Sequence, residues 1–205
     1  MKNFKSSKRA IYLSVLFGTL CAIFASFANF TAACDDLRTN VLRLHIIANS
    51  DSLKDQELKM KIRDRLLAES SGLFEDVNGI EEAIFVAEEK LDVIEDIANK
   101  VIIESGFEYK AEAKVGNSYF ETREYDDFTL PAGTYKSLII TLGEGNGKNW
   151  WCVIFPEICL SAAECGSLKD TATDKSAEIA YHPKRYKCKF WSVEKYEDIK
   201  KLFKN

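Results

Sequence analysis

Hydrophobic and polar positions are segregated most sharply at the start of the chain. Lys2, Lys5, Lys8 and Arg9 precede every acidic residue, and Ala10–Ala33 then contains no charged side chain. A basic stretch followed by an apolar one is the pattern a secretion system reads. The basic flank also matches the inside-positive bias of membrane helices. A buried core helix fits less well, because few small domains hide an uncharged run of this length. Ala10–Ala28 approaches the ~20 residues that cross a bilayer. Small residues at −3 and −1 permit cleavage after Ala28 or after Ala33. Thr31-Ala32-Ala33-Cys34 resembles a lipobox, with threonine where an aliphatic residue is usual. Cleaved signal, retained anchor and lipid anchor at Cys34 are all open. Residues 1–33 are therefore read as a signal peptide or membrane anchor and residues 34–205 as one exported domain.

The remaining pattern predicts an α+β domain: two N-terminal helices packed on a mainly antiparallel sheet. Val41–Ala48 is rich in β-branched residues and predicts a strand. Asn49-Ser50-Asp51-Ser52 supplies a turn and an N-cap, with Ser52 and Asp55 in capping-box spacing. A helix follows to about Ala68, with Leu58, Ile62 and Leu66 on its apolar face and Asp55/Lys59 and Glu57/Lys61 as acid-before-base pairs. Ser70-Ser71-Gly72 ends it. Ile84, Ala87, Leu91, Ile94, Ala98 and Val101 then step by three and four, which predicts one long helix over Ile80–Glu104. The stripe lasts under four heptads, so packing on the chain's own sheet is favoured over a coiled coil.

After Gly106 the period changes to two. Phe107–Val115 alternates as a half-buried strand, and Gly116-Asn117-Ser118 predicts a hairpin turn into a strand over Tyr119–Tyr125. Leu130-Pro131-Ala132-Gly133 makes another turn. Tyr135–Leu142 and Asn149–Phe155 are strands joined by the glycine-rich loop Gly143–Gly147. Residues 160–180 are small and polar, a mobile loop or a short helix, and a short helix over about Val193–Phe203 closes the chain. No internal repeat is present.

Charge narrows the partners. The chain carries 28 Lys+Arg and 32 Asp+Glu. Without the four N-terminal basic residues the balance is 24 against 32, a net charge of −8. An acidic exported domain offers no electrostatic reason to bind nucleic acid. No polybasic patch for anionic lipid is expected beyond the N-terminus.

Candidate chemistry is sparse. His45 and His182 are the two histidines. A Ser-His-Asp reading of His45 with Ser50 and Asp51 would need spatial convergence that spacing does not provide. Asn49, Asp51 and Asp55 lack the EF-hand spacing, and turn and capping duty explains them. The Gly-x-Gly-x-Gly loop lacks the following helix that a phosphate cradle needs. No cofactor or metal is expected. Trp150 and Trp151 are adjacent in a strand and so point to opposite faces, one toward the core and the other free to stack on sugar rings or dock a partner. Cys152 and Cys159 stand about 23 Å apart in a straight strand. They pair only if Phe155-Pro156-Glu157 reverses the chain.

Two stretches carry more information than these constellations. Residues 41–67, VLRLHIIANSDSLKDQELKMKIRDRLL, and residues 131–159, PAGTYKSLIITLGEGNGKNWWCVIFPEIC, closely resemble the stage II sporulation protein R family of endospore-forming Firmicutes. The resemblance extends from the apolar N-terminal segment to about Cys159, with Glu157 where a second proline is usual. It implies an intercellular signal rather than a catalyst. Such a protein is made in the forespore and exported to the space between the septal membranes. There it is needed to activate the mother cell's membrane aspartic protease, which processes the precursor of sigma factor E. No catalytic residues come with it. Asn49, Ser50, Asp51, Trp150 and Trp151 are the candidate partner contacts, with an exported wall hydrolase or glycan-binding module as the alternative.

Overall fold

The computed structural model describes residues 2–70, 74, 77–125, 128–156 and 171–203. The elements run α1 (Lys2–Thr39), β1 (Leu42–Ile47), α2 (Leu53–Ser70), α3 (Ile80–Glu89), α4 (Leu91–Glu104), β2 (Ala111–Phe120), β3 (Arg123–Glu124), β4 (Thr129–Leu130), β5 (Gly133–Leu142), β6 (Asn149–Phe155), α5 (Asp174–Tyr181) and α6 (Pro183–Leu202). This is the α+β class that the periodicities predict.

The main sheet has the order β2-β5-β1-β6, and β3 and β4 form a separate two-stranded ribbon. β5 pairs antiparallel with β2, β1 antiparallel with β6, and β1 with β5 in parallel. The parallel pair is accommodated because helices α2 to α4 lie between β1 and β5 in sequence and return the chain across one face. β1 thus occupies an interior position, with ladders on both sides and both faces covered.

Alternation divides the side chains cleanly. Leu42, Leu44 and Ile46 of β1, Leu138, Ile140 and Leu142 of β5, and Cys152 and Ile154 of β6 face α2, α3 and α4. Leu58, Ile62 and Leu66 of α2 and Ile94, Ala98 and Val101 of α4 complete this core. On the opposite face Phe120, Tyr135 and Val153 pack with Leu37 of α1, Phe128, Leu130 and Ala180.

Two predicted elements differ. The 80–104 helix is broken at Lys90, although Lys90 N still donates to Val86 O at 3.1 Å. No glycine or proline marks the break, and it lets Ala83 and Ala87 on α3 and Ile94 on α4 all reach the core. The predicted hairpin turn at Gly116-Asn117-Ser118 is instead the middle of β2, paired with Ser137, Lys136 and Tyr135 of β5. A long ladder outweighs local turn preference here. Gly116 serves close packing, since a Cβ there would meet Ile139 Cδ1 at 3.3 Å.

α1 carries both the apolar N-terminal segment and the first residues of the domain. Ile11–Phe24 projects outward, its large apolar side chains 56% to 77% exposed from Leu20 to Phe24. It is the one helix among the described residues long and apolar enough to cross a membrane. The same helix continues without a break into the domain, where Phe30, Ala33, Cys34 and Leu37 are buried. Phe30, Ala33 and Cys34 pack with Ile179 of α5 and with Phe190 and Val193 of α6. Asp36 Oδ2 accepts from Thr173 N and Oγ1, both at 3.0 Å, at the start of α5. Arg38 bonds Asp35 at 2.6 Å, lies 3.5 Å from Glu197 of α6, and donates to Ala132 O. Gly133 at φ +151 leaves room for it, because a Cβ there would fall 2.2 Å from Arg38 Nε. A boundary at residue 33 therefore falls inside one continuous helix.

The C-terminal region is more helical than expected, with α5 formed over the described part of 160–180 and α6 starting ten residues before Val193. α6 also carries exposed Lys184, Arg185, Lys187, Lys195 and Lys200, of which Arg185, Lys195 and Lys200 lie within 4 Å of Glu178, Asp198 and Glu197.

Candidate functional site

The 49–55 turn forms a clamp at one end of the sheet. Asn49 and Ser50 leave β1, and Ser52 caps α2 by accepting from Asp55 N at 3.2 Å. The Asp55 side chain folds back under the turn, where Ser50 Oγ, Tyr109 OH at 2.6 Å and Asn49 Nδ2 at 3.2 Å donate to its carboxylate. Burial opposes ionisation of Asp55 most strongly as a single influence. The donors Ser50, Tyr109, Asn49 and Ser52 together outweigh it and hold the carboxyl below its ordinary range. Tyr109 is pushed up, first by burial and then by this carboxylate.

The clamp grips the loop between β5 and β6. Glu144 N donates to Asn49 Oδ1 at 3.0 Å, Gly147 N to Ala48 O at 2.8 Å, and Lys148 N to Asp51 Oδ1 at 2.7 Å. Lys59 Nζ adds a bond to Lys148 O at 2.8 Å. The glycines of this loop are required by contact. A Cβ on Gly147 would fall 2.3 Å from Ser50 O, and one on Gly143 (φ +57) 2.3 Å from Asn49 Oδ1. Asn49, Ser50 and Asp51 thus act on the loop from below. Asp51, Ser52 and the neighbouring Leu53, 82% exposed, are the parts of the turn most open to a partner.

Trp150 and Trp151 lie on opposite faces, and both are half-buried. Trp150 packs at the margin of the helix-covered core with the Arg63 guanidinium 4.5 Å from its ring centroid. Trp151 packs on the other face, 5.3 Å from Phe120 and 5.8 Å from His45, with Arg123 4.7 Å from its centroid. Each indole Nε1 is buried without a hydrogen-bond partner among the described residues. An arginine covers each ring, so neither offers the open face that sugar stacking uses.

His45 meets neither Ser50 nor Asp51. Its Nδ1 lies 3.2 Å from Ser118 Oγ on β2, and its ring stacks edge-on against Phe120 and Trp151. Burial lowers its pKa, against the opposing Asn149 side chain, so the neutral ring is favoured. No carboxylate hydrogen-bonds it among the described residues, so a catalytic imidazolium would have no orienting acid there.

Sequence reading passed over Arg43, the most unusual residue of this face. It is fully buried. Its guanidinium carbon stands 3.8 Å from the Phe120 centroid and 5.0 Å from that of Tyr135, while Nη2 donates to Tyr125 OH at 2.5 Å and Nε to Cys152 O at 3.3 Å. Nη1 has no partner among the described residues. Burial lowers the Arg43 pKa, partly offset by Tyr125 and Tyr135. An arginine between Leu42 and Leu44 in an interior strand was the available signal. Cys152, on the opposite side of β6, is disulfide-bonded. Glu157 and Cys159, on which the predicted chain reversal and Cys152–Cys159 pairing rest, lie outside the described residues.

Comparison with known proteins bears on the whole arrangement. Stage II sporulation protein R of Bacillus subtilis (strain 168) is 39% identical over 136 residues, 66% of this chain and 61% of that protein. The alignment therefore spans less than two thirds of the relative's length. No solved structure matches. The family model described as stage II sporulation protein R matches residues 38–165, which hold the sheet, the clamp, both tryptophans and Arg43, and the chain belongs to that family.

Proposed function

From that membership we propose that the chain is an intercellular sporulation signal. It is made in the forespore, exported through its N-terminal segment to the space between the septal membranes, and activates the mother cell's membrane aspartic protease. That protease then processes the sigma factor E precursor. The observation that carries this reading is the family match across the folded core, residues 38–165. The projecting apolar half of α1 supports the membrane route. The role proposed for the domain is binding. The Asn49–Leu53 turn, held rigid by Asp55 and the glycine loop, and the margins of Trp150 and Trp151 are the proposed contacts with the protease.

Reconstitution tests the proposal. Full-length chain, membrane protease and sigma-factor precursor are combined in vesicles, and cleavage is followed with and without the chain. Cleavage that depends on the chain is expected; equal cleavage without it overturns the proposal. One observation favours a hydrolase instead, the 3.2 Å contact between His45 and Ser118. Under the signalling reading, folded Ser118→Ala protein supports cleavage as well as the wild type. Loss of a measurable wall-hydrolysing activity in that variant would establish the enzyme reading.

A further inference from the structure

α6 carries two apolar stripes, and only one of them is covered. Phe190 and Val193, with Tyr186, pack on Phe30, Ala33 and Cys34 of α1 and on Ile179 of α5. The other stripe points outward: Trp191 is 62% exposed, Tyr196 46%, Ile199 53% and Leu202 78%. At 3.6 residues per turn these four fall within about 140° of the helix circumference. An exposed apolar stripe of this extent marks an interaction surface.

The attachment of α6 defines what lies beside that stripe. Lys189 Nζ donates to Ser26 Oγ at 2.9 Å, and the Phe27 and Tyr196 rings meet edge-on at 6.3 Å. Both contacts sit where the exposed apolar stretch of α1 ends, just beyond Phe24. If α1 enters a bilayer, residues 26 and 27 lie near its surface, and α6 lies there too. The uncovered stripe then continues the apolar surface of α1. Tryptophan and tyrosine favour that depth, and lysines extend their ammonium groups to the headgroups from it. Exposed Lys195 lies within the stripe, 3.1 Å from Asp198, and exposed Lys200 lies beside it, 3.8 Å from Glu197.

We propose that α6 is an interfacial helix that seats the domain on the bilayer entered by α1, with Trp191, Tyr196, Ile199 and Leu202 at the acyl boundary and its lysines on anionic headgroups. The proposal rests on reading α1 as membrane-inserted. Helices whose exposed side combines aromatic, aliphatic and lysine side chains bind in the plane of the interface. Seating α6 in this way fixes the orientation of the domain, and with it the direction in which the 49–55 clamp faces.

The test uses the full chain in vesicles of phosphatidylcholine and phosphatidylglycerol that contain lipids brominated near the headgroup. Trp191 emission is isolated by difference against Trp191→Phe, with far-UV circular dichroism confirming the fold. Quenching of the Trp191 component is expected, together with its reduction when phosphatidylglycerol is omitted or in Lys195→Glu/Lys200→Glu protein. Cys21, exposed midway along the apolar half of α1, reports that helix separately through its reaction with a membrane-impermeant maleimide. Protected Cys21 with unquenched Trp191 overturns the interfacial helix and leaves membrane insertion standing. Reactive Cys21 removes the insertion reading and the proposal with it. Disulfide crosslinking of Cys188 between copies, with Trp191 unquenched, would assign the stripe to self-association and likewise overturn the proposal.

Discussion

The two faces of the central sheet come from the same four strands, yet they are held by different interactions. The face under α2, α3 and α4 is aliphatic, with Leu44, Ile46, Leu138 and Ile140 nearly inaccessible. The face toward α1 is aromatic and polar, with Arg43 at its centre among Phe120, Tyr125 and Tyr135. The first is stabilised by shape and burial. The second holds a guanidinium that contacts rings and two neutral oxygens and has no carboxylate partner among the described residues. Burying a charge is costly unless its surroundings compensate, so the second face gives up stability that the first does not. It keeps in return a fixed arrangement of Phe120, Tyr125 and Cys152 around one side chain.

Substitutions at the two centres sharpen this contrast. Ile140→Ala on the aliphatic face should cost about 3 kcal/mol, the usual loss for a large-to-small change in a closed core. Arg43→Ala should cost a similar ~3 kcal/mol, because it empties the aromatic cage and strands the Tyr125 hydroxyl. The distinguishing variant is Arg43→Met, which fills the cage without the charge. It restores the packing but leaves the Tyr125 hydroxyl without its donor, so it should recover most of the loss and fall within about 1.5 kcal/mol of wild type. Urea unfolding in detergent followed by far-UV circular dichroism reads all three. If Arg43→Met is as destabilised as Arg43→Ala, the guanidinium itself stabilises the fold and the contrast between the faces fails.

The same contrast explains what could be read from the sequence. The aliphatic face follows simple periods: Leu58, Ile62 and Leu66 step by four, and Leu42, Leu44 and Ile46 alternate. Such patterns survive because only burial acts on them. On the other face Arg43 and His45 take the alternate positions of β1, and by pattern alone they resemble a solvated edge. They are covered because β1 lies between β5 and β6 and because α1 and the β3–β4 ribbon close over it, which are long-range facts. The Gly116 turn failed for a related reason, since the pairing of β2 with β5 is nonlocal and overrides it. Of the candidate site, the turn function of Asn49, Ser50 and Asp51 was legible through the capping box. Their grip on residues 144 to 148 was not, because it joins segments about a hundred positions apart.

The clamp gives a smaller effect, on the aliphatic side of the comparison. Asp55→Asn removes a carboxylate that accepts from Ser50, Asn49 and Tyr109 and should cost about 2 kcal/mol at neutral pH. Because the folded carboxyl titrates below its unfolded value of about 3.9, wild-type stability is full above that value and falls as pH drops through the folded one. The variant should lose this acid dependence. An unchanged acid slope in Asp55→Asn would place the titration on another group.

His45 supplies the smallest effect and the opposite face's own signature. Burial disfavours its protonated form, so the folded pKa lies below the unfolded value of about 6.5. Between those two values the unfolded chain binds more protons than the folded one. The stability contribution of neutral His45 is therefore full above about pH 6.5 and declines as pH falls from there to the folded pKa. Unlike Asp55, this loss begins near neutrality, in a pH range where the clamp is unaffected. His45→Phe should flatten the stability profile below about pH 6.5 while leaving the steeper acid limb of Asp55 in place. Urea midpoints measured at half-unit pH intervals for both proteins read the difference. A profile in His45→Phe that still declines through that window would mean the aromatic face does not take up the proton there, and that Ser118 holds a histidine whose charge the fold tolerates.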